Sequence, residues 1–146
     1  MCIRDRNNLA CLYGDGHGVV QSYVKSRDWY ERAAEAGYAD AQCVLGSYYY
    51  FGREGVAIDF PRVRMWYEKA AAQGHAVAQY NLGNMCRDGE GGPQDFTRAR
   101  ELYELAAAQG HAGGQFNLGC MHLDGKGGPQ DFTLSLIHIS EPTRPY

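Results

Sequence analysis

Positive charge is scarce in this sequence. The 14 Lys and Arg are outnumbered by 17 Asp and Glu, leaving a formal net charge of -3 and a pI near 5.9. No chain-wide positive field exists to draw in nucleic acid or an anionic membrane, so neither is an expected partner. Long apolar runs are missing too. Mean hydropathy is -0.48, and nothing approaches the roughly 20 apolar residues that span a bilayer, which argues against membrane insertion. Paired cysteine motifs are lacking: Cys2, Cys11, Cys43, Cys86 and Cys120, odd in number and widely spaced, form neither a C-x-x-C pair nor a dense secreted framework. That usage points to a reducing compartment, the cytoplasm by default, and a charged start without the apolar run of a secretory leader points the same way. Serines are too few to assemble a Ser/His/acid cluster, so no catalytic residue is assigned. With 146 residues the chain is one compact domain or a short repeat array. What it has in excess is glycine, 19 residues arriving in clusters, about 13% against a typical value of roughly 7%.

The two ends mirror each other as DNA. Met1 to Arg6 can be encoded ATG TGT ATA AGA GAC AG, whose reverse complement CTG TCT CTT ATA CAC AT reads Leu134, Ser135, Leu136, Ile137, His138, Ile139. Unrelated termini have no physical reason to share an inverted segment, and this one resembles a transposase-based sequencing adapter. Residues 1–6 and 134–146 are therefore expected to be adapter-derived and to pack poorly.

Between them lies a repeat. Residues 70–76 and 106–112 both read AAAQGHA, residues 91–97 and 127–133 both read GGPQDFT, and each pair is 36 residues apart. Identical heptapeptides at one period identify an internal repeat. Leu9, Leu45, Leu82 and Leu118 keep that period, as do Tyr30, Tyr67 and Tyr103, with one extra residue between Arg53 and Asp59. The units run over 7–38, 39–75, 76–111 and a truncated 112–133.

Each unit predicts two helices. Phe96, Ala99, Leu102, Tyr103, Ala106 and Ala107 fall on one face of a helix over 95–110, and the equivalent residues do so over 59–74 and 22–37. Ser22, Asp59, Asp95 and Asp131 stand where a side chain caps free N–H groups. Gly37, Gly74 and Gly110 follow the last turn, and Pro61 sits in a first turn, where its missing N–H costs little. A shorter helix precedes each, over 40–51, 77–87 and 113–123, with a remnant over 7–13. Gly46, Gly83 and Gly119 interrupt these at a propensity cost of roughly 1 kcal/mol each. Their recurrence implies close helix contact, with the Ala pairs 70/71 and 106/107 expected opposite. Such hairpins bury their apolar faces only by stacking.

Ala41, Gln42, Leu45, Gly46, Tyr49, Gly52, Gly55 and Val56, followed by Asp59, Trp66, Tyr67, Ala70, Ala71 and Gly74, resemble one unit of the Sel-one-like repeat family, relatives of the tetratricopeptide repeat. Leu82, Gly83, Tyr103, Ala106, Ala107 and Gly110, then Leu118 and Gly119, carry the pattern onward, with Cys86 and His122 replacing an expected Tyr, Leu102 replacing Trp, and Pro93 and Pro129 where Val is usual. The resemblance implies an all-α fold, a right-handed α-solenoid of stacked antiparallel helical hairpins, the tetratricopeptide-like superhelix. It implies a noncatalytic scaffold or adaptor that binds other proteins and needs no cofactor. An enzyme-associated or weakly hydrolytic repeat protein is the alternative.

The Gly clusters at 14–18, 89–92 and 125–128 lack the G-K-[ST] of a phosphate loop and join helices, so they read as turns. The cysteines read as small apolar packing. His75 and His111 recur at the turn between units, which points to architecture, and no metal site is assigned. Rows that vary between repeats are the recognition candidates: Cys43, Tyr80 and Phe116; Ser47, Asn84 and Cys120; Tyr50, Arg87 and Leu123. By resemblance to tetratricopeptide arrays they line a concave groove holding a partner's peptide or helix. Tyr50, Phe51, Tyr80, Asn84, Arg87, Phe116 and Leu123 are the candidate contacts, being rich in hot-spot residue types, while packing of Tyr80 or Phe116 between repeats is equally open. The truncated last unit should expose Leu118, Met121 and Phe132 and favour self-association.

Overall fold

The computed structural model describes residues 1–134, so the expected adapter residues 135–146 lie outside the described residues. Seven α-helices of 13 residues each form its framework: α1 (Ile3–Asp15), α2 (Tyr23–Glu35), α3 (Ala39–Phe51), α4 (Phe60–Ala72), α5 (Ala76–Asp88), α6 (Phe96–Ala108) and α7 (Ala112–Asp124). No strand occurs among the described residues. Helix α1 begins at Ile3, inside the stretch expected to be adapter-derived, with Asp5 in its first turn and Arg6 Nη1 donating to Arg32 O at 3.4 Å. The chain divides into two compact units. Unit 1, residues 1–73, holds the hairpins α1/α2 and α3/α4 with α2 against α3; unit 2, from residue 74, holds α5/α6 with α7 against α6.

Helices this short are marginal alone in water, so their stability comes from packing. Caps set their ends. Ser22, Asp59 and Asp95 accept the N–H groups of Lys25, Arg62 and Arg98, and Asp131 accepts those of Thr133 and Leu134. The turn histidines cap as well: His75 Nδ1 accepts from Ala78 N–H and His111 Nδ1 from Gly114 N–H. First helices close on a left-handed glycine, Gly16, Gly52, Gly89 or Gly125. The loop then returns so that Ser22, Asp59, Asp95 and Asp131 donate their N–H to the carbonyls of Tyr13, Tyr49, Cys86 and His122. The same backbone closure therefore recurs in all four repeats, across one extra residue in the second.

The mid-helix glycines do mark close contact, but with a different partner from the one expected. A Cβ at Gly46 would stand 2.6 Å from the Tyr67 ring, and one at Gly83 2.7 Å from the Tyr103 ring. Aromatic rings, rather than the Ala pairs, lie on the glycines because only a ring long enough to cross the hairpin fills the notch. The Ala pair of α6 instead meets Gly114, whose Cβ would lie 3.0 Å from the Ala106 methyl. Leu45, Val63 and Tyr67 form the core of unit 1 and Leu82, Met85, Leu102 and Tyr103 that of unit 2.

A buried amide ties consecutive elements together. Gln42, 4% exposed, donates to Ala34 O at the end of α2 and accepts from Gln73 at the end of α4 at 2.9 Å. Gln79, 3% exposed, accepts from Gln109 at 2.8 Å in unit 2. Gln42 thus gives a donor to a carbonyl at the end of α2 and an acceptor to the Gln73 amide, and leaving the buried carbonyl unpaired would cost about 1–3 kcal/mol. At the end of unit 2, Leu118 and Met121 are buried, contrary to expectation, because α7 turns them inward against its neighbours; Phe132 and Leu134 are exposed.

Candidate functional site

The variable rows of the first helices take their environment from the second helices behind them. In unit 2 the residues Tyr80, Asn84 and Arg87 follow one another along one face of α5. Tyr103, wholly buried, reaches forward from α6 and its hydroxyl donates to Asn84 Oδ1 at 2.7 Å, while Asn117 Nδ2 of α7 donates to the same oxygen at 3.0 Å. Burial pushes the Tyr103 phenol up to about 12, so it stays a donor. Both lone-pair directions of Asn84 Oδ1 are used internally, and its amide N–H groups donate to nothing among the described residues. Arg87 makes a bidentate pair with Asp88 at 2.8 and 3.0 Å, and these hydrogen bonds hold the Asp88 carboxyl below its usual range.

Tyr80 is half-buried, its ring 4.7 Å from that of His111 and 6.2 Å from that of Tyr103. It packs across α6 and α7, and a Cβ at Gly113 would strike it at 2.9 Å. Phe116, at the equivalent position one repeat on, is 55% exposed, and Leu123 stands at 36%.

Unit 1 carries different chemistry on the same rows. Ser47 shares a hydrogen bond with the Tyr67 hydroxyl at 3.0 Å, where unit 2 has Asn84 and Tyr103. Cys43 is buried, and burial together with the Asp40 charge pushes its thiol up to about 11, which leaves it neutral and unreactive. Tyr50 stacks edge-on with Phe51 at 5.0 Å and packs on Phe60 at 5.5 Å, while Phe51 is exposed beneath the Arg53 guanidinium. All five cysteines are free, and no group of three His, Cys, Asp or Glu able to hold a metal occurs among the described residues. No described helix is long and apolar enough to cross a membrane.

The structure also displays residues the sequence reading passed over. Asn117 completes the Asn84 site. Arg27, Arg64 and Arg100 form a row on the second helices at the repeat period, each with part of its guanidinium buried. Their spacing was visible; what it lacked was any indication that the stems run inward.

The sequence model of the Sel1 repeat matches residues 6–38, 39–75, 76–111 and 112–139. The chain belongs to the Sel1 repeat family. Among solved structures, a protective antigen of uropathogenic Escherichia coli with an SLR fold is 34% identical over 94% of the chain with a TM-score of 0.88, the match covering 29% of that protein. A Sel1 repeat protein from Oxalobacter formigenes is 30% identical over 93% of the chain, TM-score 0.87, covering 56% of its length. A sel1 repeat protein from Klebsiella pneumoniae subsp. pneumoniae, 24% identical over 97% of the chain and matched over 69% of its own length, shares the fold with a TM-score of 0.64. The chain thus spans less than two thirds of the first two relatives. No curated protein matches it. The Sel1 fold is an all-α solenoid of helical hairpins, and Sel1 repeats are in general noncatalytic modules that mediate protein–protein interaction.

Proposed function

We propose that this Sel1 chain is a noncatalytic interaction module whose first-helix face holds an extended or helical segment of a partner protein. The observation that carries the reading is the α5 face of unit 2. Asn84 has its oxygen fixed by Tyr103 and Asn117 and its N–H groups left over, so it is oriented to donate to a peptide carbonyl without losing side-chain entropy on binding. Arg87, one turn on, is held by Asp88 and presents a cation at the rim. Fixed donors of this kind suit a ligand that brings its own carbonyl groups.

The test separates recognition from folding. With a partner captured by crosslinking to the chain, Asn84→Ala and Arg87→Ala should each weaken binding about tenfold, or roughly 1.4 kcal/mol, with the melting temperature unchanged. Tyr80→Ala should lower stability as well, because its ring packs across α6 and α7. Undiminished binding by Asn84→Ala and Arg87→Ala together would defeat the assignment.

A further inference from the structure

The row of second-helix arginines ends differently in the two units. In unit 2, Arg100 is 6% exposed; its Nη2 donates to Pro129 O at 3.2 Å and meets His122 Nδ1, and its Nη1 lies beneath Gly128, where a Cβ would strike the guanidinium. The loop after α7 has folded back onto the arginine. It is held there by Gln130, whose amide donates to Leu123 O at 2.6 Å. Equivalent ties run from Gln21 to Gly14 O and from Gln94 to Arg87 O.

The second repeat, in unit 1, breaks the pattern. At the position of these glutamines the loop after α3 has Ile58, 59% exposed, and it carries the extra residue of that repeat and no Gly-Gly-Pro. The loop stands off, leaving a cleft of about 640 Å³ beside Arg27, walled by Val56, Ile58, Phe60 and Pro61. That volume lies in the range of about 300–1,000 Å³ usual for ligand sites. Its polar groups are unevenly used. Glu31 accepts from the Tyr49 hydroxyl at 3.1 Å, Tyr49 accepts from Arg62 at 3.1 Å, and Asp59 caps α4. Arg27 Nε is buried with no hydrogen-bond partner, its nearest carboxylate oxygen being Glu31 at 3.9 Å. Glu31 Oε1, the Tyr49 hydroxyl and Asp59 Oδ1 each already accept a hydrogen bond while Arg27 Nε donates to nothing, so the group this arginine calls for is an acceptor.

We propose that this cleft binds an extended peptide segment of another protein, whose main-chain carbonyl takes on Arg27 the place that Pro129 O holds on Arg100. Unit 2 carries its own ligand in the form of a Gly-Gly-Pro loop; unit 1 leaves the seat to an incoming chain, with an apolar wall for the flanking side chain. The cleft contains none of the first-helix rows, so it is a second site, separate from the α5 face.

The probe is the chain's own loop as a free capped peptide, Gly-Lys-Gly-Gly-Pro-Gln, titrated to millimolar concentration into the full chain. Arginine side-chain and methyl NMR signals report the outcome. A saturable shift of the Arg27 Nε–Hε and Ile58 methyl signals is expected, lost or weakened at least tenfold in Arg27→Leu and in Ile58→Asp. The second variant changes an exposed side chain and guards against a folding defect in the first. The proposal is overturned by the absence of a saturable shift at Arg27, by shifts confined to α5–α7, or by undiminished affinity in Ile58→Asp.

Discussion

Behind Ser47 in unit 1 stands the Tyr67 hydroxyl, and behind Asn84 in unit 2 stands the Tyr103 hydroxyl, each bonded forward at 3.0 and 2.7 Å. The tyrosines and the glycines beneath them are the same in both units; the acceptors in front differ. Identical residues in the second layer hold the hairpin closed, and the layer before them is free to change its chemistry without altering the backbone. The same contrast recurs at the helix starts. Unit 2 opens α5 and α7 with capping histidines, whereas α3 of unit 1 starts from Tyr38 with no side-chain cap.

The sharpest way to break the comparison is to remove the shared layer. Tyr103→Ala and Tyr67→Ala should each cost about 3–5 kcal/mol, as buried aromatic truncations do, in denaturant unfolding of the whole chain. Tyr103→Phe should cost only about 0.5–1.5 kcal/mol, the net worth of one hydrogen bond. A loss below 1 kcal/mol for Tyr67→Ala alone would show that the two tyrosines are not equivalent.

The buried amides come next. Gln42→Leu keeps the volume but leaves Ala34 O without its side-chain donor, so a loss of about 1–3 kcal/mol is expected. Hydrogen exchange should report it as faster opening at the end of α2 and of α4. Retained protection at both ends would show that the bridge contributes packing alone.

Much of this architecture was legible in the residues. The period of 36, the caps at Ser22, Asp59 and Asp95 and the αL glycines are local signals, each satisfied within a few residues of itself, and they placed the helices to within a residue or two, α1 excepted. Contacts across a hairpin were less legible. Gly46 announced a close approach but not what approached, because a notch can be filled by two methyl groups or by one ring. The Asn84 site was half visible: Asn84 varied between repeats, but Asn117 sits 33 residues away and meets it only once α5 and α7 share a neighbour. The arginine row was missed because a long cationic side chain on a helix reads as solvated until its stem is seen to run beneath a loop.

Acid should separate the units further. Burial lowers the His111 pKa, and its Nδ1 can accept the Gly114 N–H only while unprotonated. The folded state therefore binds a proton less readily than the unfolded one. The cap's contribution is complete above the unfolded value near 6.5 and is lost as pH falls below it toward the lower folded value. On the order of 0.5–2 kcal/mol, the range of a lost N-cap, should disappear from unit 2 between neutral pH and pH 5. Exchange at α7 should quicken over that range, and His111→Asn, an acid-insensitive cap, should remove the effect. Equal acid sensitivity at α3, which has no such cap, would place the cause elsewhere.

The smallest difference concerns the ends of the units. Phe132 is 60% exposed in the segment after α7 and Phe116 is 55% exposed on it, while Leu118 and Met121 turn inward and are covered. We expect a weak, concentration-dependent association through these two rings, since exposed aromatic surface is removed from water when copies meet. Sedimentation of the chain should show a coefficient that rises with concentration. Phe132→Ser, at a position with little to lose on the folded side, should flatten that rise while leaving stability within about 0.5 kcal/mol. A rise that survives Phe132→Ser but is abolished by Phe51→Ser would move the contact to unit 1, whose Phe51 and Ile58 are equally exposed.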